Sequence, residues 1–152
     1  MATKDIRDRI VAILNTITPA TGVLTIAPRI PRSAQDYEGY IVIVDMQSGT
    51  GQRIADKLRS ENLSWRIRLY SPALGIGLDS VREDAMYDLR DQIIDKLEDS
   101  QFLEHPTTRI GLSGVNGTTI ANERYTSPVA FGDTDRALWE CVLTVSTERV
   151  TC

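Results

Sequence analysis

The run Trp65-Arg66-Ile67-Arg68-Leu69-Tyr70 alternates apolar and polar side chains without a break and stops at Ser71-Pro72. A strict period of two belongs to a β-strand, because successive side chains leave opposite faces of the pleat. It sets Leu63, Trp65, Ile67 and Leu69 on one face and Ser64, Arg66, Arg68 and Tyr70 on the other. Such a strand sits in a sheet with one face packed and the other left to water or a partner. The pattern defines an architecture and carries no chemistry of its own.

The chain has 152 residues, the length of one domain, and a domain of that size buries roughly 68 to 70% of its unfolded surface. With 41% hydrophobic and 25% charged residues it resembles an ordinary globular protein and neither a disordered nor a membrane one. No apolar run reaches the length of a membrane span, and the opening Met1 to Arg7 lacks the apolar centre of a signal peptide. A cytoplasmic origin without a membrane partner is the expectation. Cys141 and Cys152 have no second Cys or His at ligand spacing, so two thiols are expected rather than a disulfide framework or a zinc site. The net charge of −4 and the isoelectric point near 5.0 argue against a domain that grips nucleic-acid phosphates, which usually carries a basic stripe.

Along the chain, Thr3 caps a first helix in which Ile6, Ile10, Val11, Ile13, Leu14 and Ile17 recur at helical spacing until Pro19 ends it. Leu24 and Ile26 alternate in a short strand, and Pro28 to Tyr37 reads as a polar loop. Tyr40 to Met46 is continuously apolar through Ile41-Val42-Ile43-Val44, the mark of a central strand covered on both faces. Gln47 to Asn62, rich in glycine and charge, admits a short helix or an extended hairpin arm, and in either form it projects outward. The strand Leu63 to Tyr70 follows, then the loop Ser71 to Leu78. Asp79 or Ser80 caps a second helix that runs to about Glu98, with Val81, Met86, Leu89, Ile93 and Leu97 on its stripe. Asn116-Gly117 reads as a type I′ turn between strands at 109–115 and 118–125. A loop at 126–135 leads to the longest strand, Ala137 to Val150, whose inner face carries Trp139, Cys141, Leu143 and Val145. The expected fold is α/β of the α+β type: a single domain over 1–152 with one mixed, mainly antiparallel sheet and two amphipathic helices on one face.

Few residues of this chain have the company that chemistry requires. His105 is the single histidine, lies in Glu104-His105-Pro106, and reads as an exposed loop residue, because no nucleophile or orienting carboxylate is at hand. Gly111 to Gly117 and Ser48-Gly49-Thr50-Gly51 look like phosphate-cradling loops, but neither opens a helix whose amides would meet the anion. Asp84, Asp88, Asp91, Asp95 and Asp99 recur at steps of three and four and read as a solvated helix face, partly neutralised by Arg82, Arg90 and Lys96. Arg66 and Arg68 either pair with Glu140 or Glu148 across the sheet or face another subunit. No catalytic, cofactor-binding or metal-binding residue is expected, and the chain is read as a non-enzyme.

The ordered set formed by the helix Ile6 to Ile17, the strand Tyr40 to Val44, the pattern Trp65 to Pro72, the helix Arg82 to Leu97 and the strand Leu138 to Val150 resembles the tail terminator (tail completion, or neck) proteins of long-tailed bacteriophages. The resemblance implies a virion protein, assembled in the host cytoplasm, that forms a homo-hexameric ring on the last ring of the tail tube. Such a ring ends tube polymerisation and presents a joining surface to the head connector or stopper. Its partners would be further copies of itself, the major tail tube protein and the head connector, with DNA only passing through an acidic channel. Contacts are expected from the arm Gln47 to Asn62, with Arg53, Lys57 and Arg59, from the loop carrying Leu74, Ile76 and Leu78, and from Arg66 and Arg68. A head-completion or stopper protein is the alternative, and a small-ligand or enzymatic domain comes third.

Overall fold

The computed structural model describes residues 3–19, 24–27, 40–72, 80–131 and 134–151. Two helices, α1 (Thr3–Leu14) and α2 (Ser80–Asp99), accompany five strands: β1 (Leu24–Ala27), β2 (Tyr40–Ala55), β3 (Leu58–Pro72), β4 (Val115–Phe131) and β5 (Thr134–Thr151). The strands form one sheet in the order β1-β2-β3-β5-β4. β1 lies parallel to β2, and every other neighbouring pair is antiparallel. This is the mixed, mainly antiparallel α+β fold expected from the alternation in β3 and the two periodic helices.

One face of the sheet carries the core. Val44, Ile67 and Leu143 lie side by side across β2, β3 and β5, and Val42, Leu69 and Cys141 form the next rung. All six are buried, and Ile6, Ile10, Ile13 and Leu14 of α1 join them in one cluster with Leu89, Ile93 and Leu97 of α2. Both helices therefore cover the same face. Fully burying an aliphatic side chain of this kind contributes about 1.5 to 3 kcal/mol, so this cluster is the main source of stability. Trp65 completes the inner face of β3, whereas the side chain of Trp139, expected on the same core face from β5, lies outside the described residues.

The continuous apolar run at the start of β2 is buried on both faces. Tyr40, Val42 and Val44 belong to the helix-side cluster, and Ile41 and Ile43 on the other parity are 2% and 0% exposed. Tyr70 and Val142 are buried on that second side too.

Gln47 to Asn62 is the hairpin arm and not a helix. β2 and β3 remain paired from Ile41↔Tyr70 to Ala55↔Leu58, and Asp56-Lys57 forms the turn. Lys57 takes the left-handed conformation with φ 63°. The two arm glycines make room for side chains of the facing strand. A Cβ at Gly49 would stand 3.0 Å from the Leu63 side chain, and one at Gly51 would stand 2.7 Å from the Arg59 guanidinium.

The expected turn at Asn116-Gly117 is corrected. Residues 109–114 are not a strand, and β4 starts at Val115 and runs on to Phe131. Val115 pairs with Arg149 and Gly117 with Glu148, so Asn116 is the extra residue of a bulge in an edge strand. Neither residue has the positive φ that a type I′ turn demands; that conformation occurs at Gly114, with φ 85°. The expected loop at 126–135 is likewise mostly strand, with a register shift between Thr126 and Val129 where Pro128 cannot donate to the ladder. Phe131 pairs with Thr134, leaving Gly132 and Asp133 between the two strands.

Candidate interaction surface

The arm is the part of this fold that its own core does not use. In β2 the five residues Tyr40 to Val44 are buried and the ten from Met46 to Ala55 are all exposed. Met46 and Ile54, both large and apolar, are 50% and 51% exposed. At the tip, Arg53 and Asp56 form an exposed ion pair, and Lys57 is exposed beside them. A surface pair of this kind contributes little to stability, so these charges are available to a partner at small cost.

Arg59 differs from its neighbours at the tip. Its Nε donates to Glu61 Oε1 at 2.9 Å, and Glu61 stands directly across from Arg149 of β5. Arg149 is 5% exposed; its Nε donates to Glu61 Oε2 at 2.9 Å and its Nη2 to Thr3 Oγ1 at 3.1 Å, with a further bond from Nη2 to the same Glu61 oxygen. The base of the arm is thereby tied to β5 and to the first residue of α1. Hydrogen bonds from Arg149 and then Arg59 hold the Glu61 carboxyl below the usual glutamate range, against the opposing effect of burial.

Arg66 and Arg68 emerge on the opposite face of β3 and meet Asp45 of β2. Arg66 Nη2 lies 2.8 Å and Arg68 Nη2 lies 3.2 Å from Asp45 Oδ2, and Arg66 Nε reaches Asp45 Oδ1 at 3.3 Å. The pairing is across the sheet, as one of the two expectations had it, and the acid seen there is Asp45; the side chain of Glu140, one of the two expected acids, lies outside the described residues. Register explains the choice, because Asp45 is the residue directly opposite Arg66. The arginines of the expected interface thus divide between two faces of the sheet and do not form one patch. Leu74, Ile76 and Leu78 lie outside the described residues.

His105 is a loop residue with a structural task. Its Nδ1 accepts from the backbone N–H of Thr107 at 3.1 Å and of Thr108 at 3.4 Å, while the His105 backbone N–H donates to the Ile110 carbonyl at 2.8 Å. Arg9 of α1 closes the same loop by donating Nη1 to the carbonyls of Leu103 and Ile110 at 3.0 and 2.8 Å. Phe102 and Ile110 remain 46% and 67% exposed on its surface. The five aspartates of α2 are all exposed. Among the described residues no three His, Cys, Asp or Glu side chains converge as a metal site would require, and no helix is long and apolar enough to cross a membrane. Cys141 is a buried thiol of the core, and Cys152 lies outside the described residues.

The residues that reading by pattern missed are Asp45 and Arg149. Arg149 did carry a signal: it continues the inner parity of β5 after Leu143, Val145 and Thr147, where an apolar residue is the default. No protein-family model and no curated relative matches this chain.

Proposed function

We propose that this chain is a structural subunit of a bacteriophage neck, a tail terminator that caps the tail tube as a ring of six copies, ends its polymerisation and offers the head connector a joining surface. The observation that carries the reading furthest is the exposed half of β2, ten residues long, held in an extended hairpin that contributes nothing to the subunit's own core. Its large apolar side chains, Met46 and Ile54, are half exposed, and a neighbouring copy in a ring would cover such surface. The order of helices and strands resembles the terminator pattern over most of the chain, and a part that acts by shape and surface has no need of a catalytic constellation. Arg53 and Lys57 at the tip, and the segment with Leu74, Ile76 and Leu78, are assigned to contacts between copies or with the tube. The acidic balance of the chain suits a channel through which DNA passes without being held.

Native mass spectrometry of the protein mixed with its tail tube protein tests the assembly. A closed ring of six on the tube end is the expected species. Only monomers, or a ring of another order, would contradict it.

A further inference from the structure

The end of α2 breaks the charge rule of a helix C-terminus. Asp95, Glu98 and Asp99 are exposed there, and only Lys96 supplies the cation that the negative end of the helix dipole favours. None of the three carboxylates has a side-chain partner among the described residues. Just beyond them, Phe102 and Ile110 keep large apolar side chains in water. The loop that bears them is held firmly: the Leu112 N–H donates to the Phe102 carbonyl at 2.9 Å, and Arg9 clamps the Leu103 and Ile110 carbonyls. Gly111 packs so closely that a Cβ there would stand 3.2 Å from the Phe102 Cβ. Apolar side chains and unpaired acids are thus presented together at one end of the helix.

The arm tip carries the complement. Ile54 is the extra residue where the register of β2 on β3 shifts between Arg53 and Ala55, and a bulge re-aims the side chain it carries. It is half exposed. Arg53 is paired with Asp56 and Arg59 with Glu61, so neither is the available cation. Lys57, exposed in the turn, has no side-chain partner among the described residues. The arm of the same chain does not fill the place at the end of α2, because all ten residues from Met46 to Ala55 stay exposed.

We propose that the arm tip of one copy docks on the C-terminal end of α2 of the next, with Lys57 set against Glu98 and Asp99 and Ile54 against Phe102 and Ile110. Both complementary halves belong to this chain, which makes a second copy the occupant. The incoming ammonium relieves the repulsion between the acids and the helix dipole, and the apolar contact beside it covers surface that each copy leaves in water. Two tips facing one another would oppose Lys57 to Lys57, so the contact is heterologous: each copy gives a tip and receives one, and repetition closes a ring when the rotation between copies allows it. This contact rests on the ring reading and names the surface that receives the arm.

The test mixes isotope-labelled and unlabelled full-length protein on tail tube ends and treats the assembly with a zero-length carbodiimide crosslinker. Mapped peptides should join Lys57 of one copy to Glu98 or Asp99 of another. Lys57→Glu should weaken ring formation at least about tenfold, or about 1.4 kcal/mol; the pair Glu98→Lys/Asp99→Lys should do the same, and the three changes together should restore it. That acid-to-lysine pair should melt no lower than the wild type, since cations suit this end of a helix. A lower Tm would give the acids to the subunit's own fold and overturn the proposal. A ring of six that forms undiminished with either variant, or that links Lys57 only to the tube protein, would overturn this contact and leave the ring reading standing. The Lys57 crosslink found in a dimer or an open filament, with no ring, would support the contact and overturn the ring of six. Wild-type protein that stays monomeric in the presence of the tube would overturn both.

Discussion

Glu61 and Arg149 stand directly opposite one another on β3 and β5, and the Arg149 side chain, 7% exposed, spends two of its nitrogens on one Glu61 oxygen. The same guanidinium reaches Thr3 at the start of α1. One buried cation therefore fastens the arm, the last strand and the first helix together. Removing its acid leaves an uncompensated charge in a largely dry place, so Glu61→Gln should cost about 3 kcal/mol at neutral pH, read as a shift in urea midpoint.

The same pair sets a pH dependence. The Glu61 carboxyl is held below its ordinary range, chiefly by the hydrogen bond from Arg149. A lowered carboxylate pKa gives stability that is fully present above the unfolded-state value of about 4.3 and is lost as pH falls through the lower folded-state value. Stability curves of the wild type and Glu61→Gln should therefore run apart at pH 7 and converge under acid conditions. A constant gap down to the most acid pH measured would show that protonation of Glu61 is not the event that matters.

Ile67 sits between Val44 and Leu143 at the centre of the helix-covered face and is fully buried. Truncation to alanine there should destabilise by about 2 to 5 kcal/mol, measured by denaturant unfolding. A cost under 1 kcal/mol would mean that the two helices do not press on this rung.

Much of this core was legible in the chain, because period-two and helical patterns report burial directly. The inner rows of β3 and β5 and the stripes of α1 and α2 follow from it. Three features did not follow. Asn116-Gly117 has the composition of a tight turn, but pairing with the far end of β5 draws it into an edge-strand bulge; tertiary pairing outweighed local preference. Gly132-Asp133 suits a two-residue connection as well, and nothing local ranks the two pairs. The arm at 47–62 has too few apolar residues for a period to show, so helix and hairpin stay equal until its cross-strand partners are known. Charge partners were the least legible. Arg66 and Arg68 choose Asp45 through register, which depends on the length of the arm and the position of its turn.

Asp45 serves two arginines, one of them, Arg68, only 12% exposed. Asp45→Asn should cost about 2 kcal/mol, in the range of hydrogen bonds to charged groups. A double-mutant cycle with Arg68→Gln should recover a coupling of about 1 kcal/mol or more. Additive effects would release Arg68 from this structural task and favour a contact outside the subunit.

The arm tip separates folding from assembly. Arg53 and Lys57 are exposed and bear no core contact, so reversing both to Glu should move stability by no more than about 0.5 kcal/mol while weakening ring formation and head joining. Arg59 is different, because its reversal also strips a donor from Glu61, and it should lower stability as well. Unfolding by the Arg53/Lys57 pair, measured by thermal melts, would assign the tip to the subunit's own stability.

We propose that this subunit stops a growing tail tube. Electron microscopy of lysates from the phage with this gene removed tests it most directly. Tails of uncontrolled length beside filled heads that have not joined them are the expected result. Tails of normal length, with heads that have lost their DNA, would contradict it and make the protein a head-completion component instead.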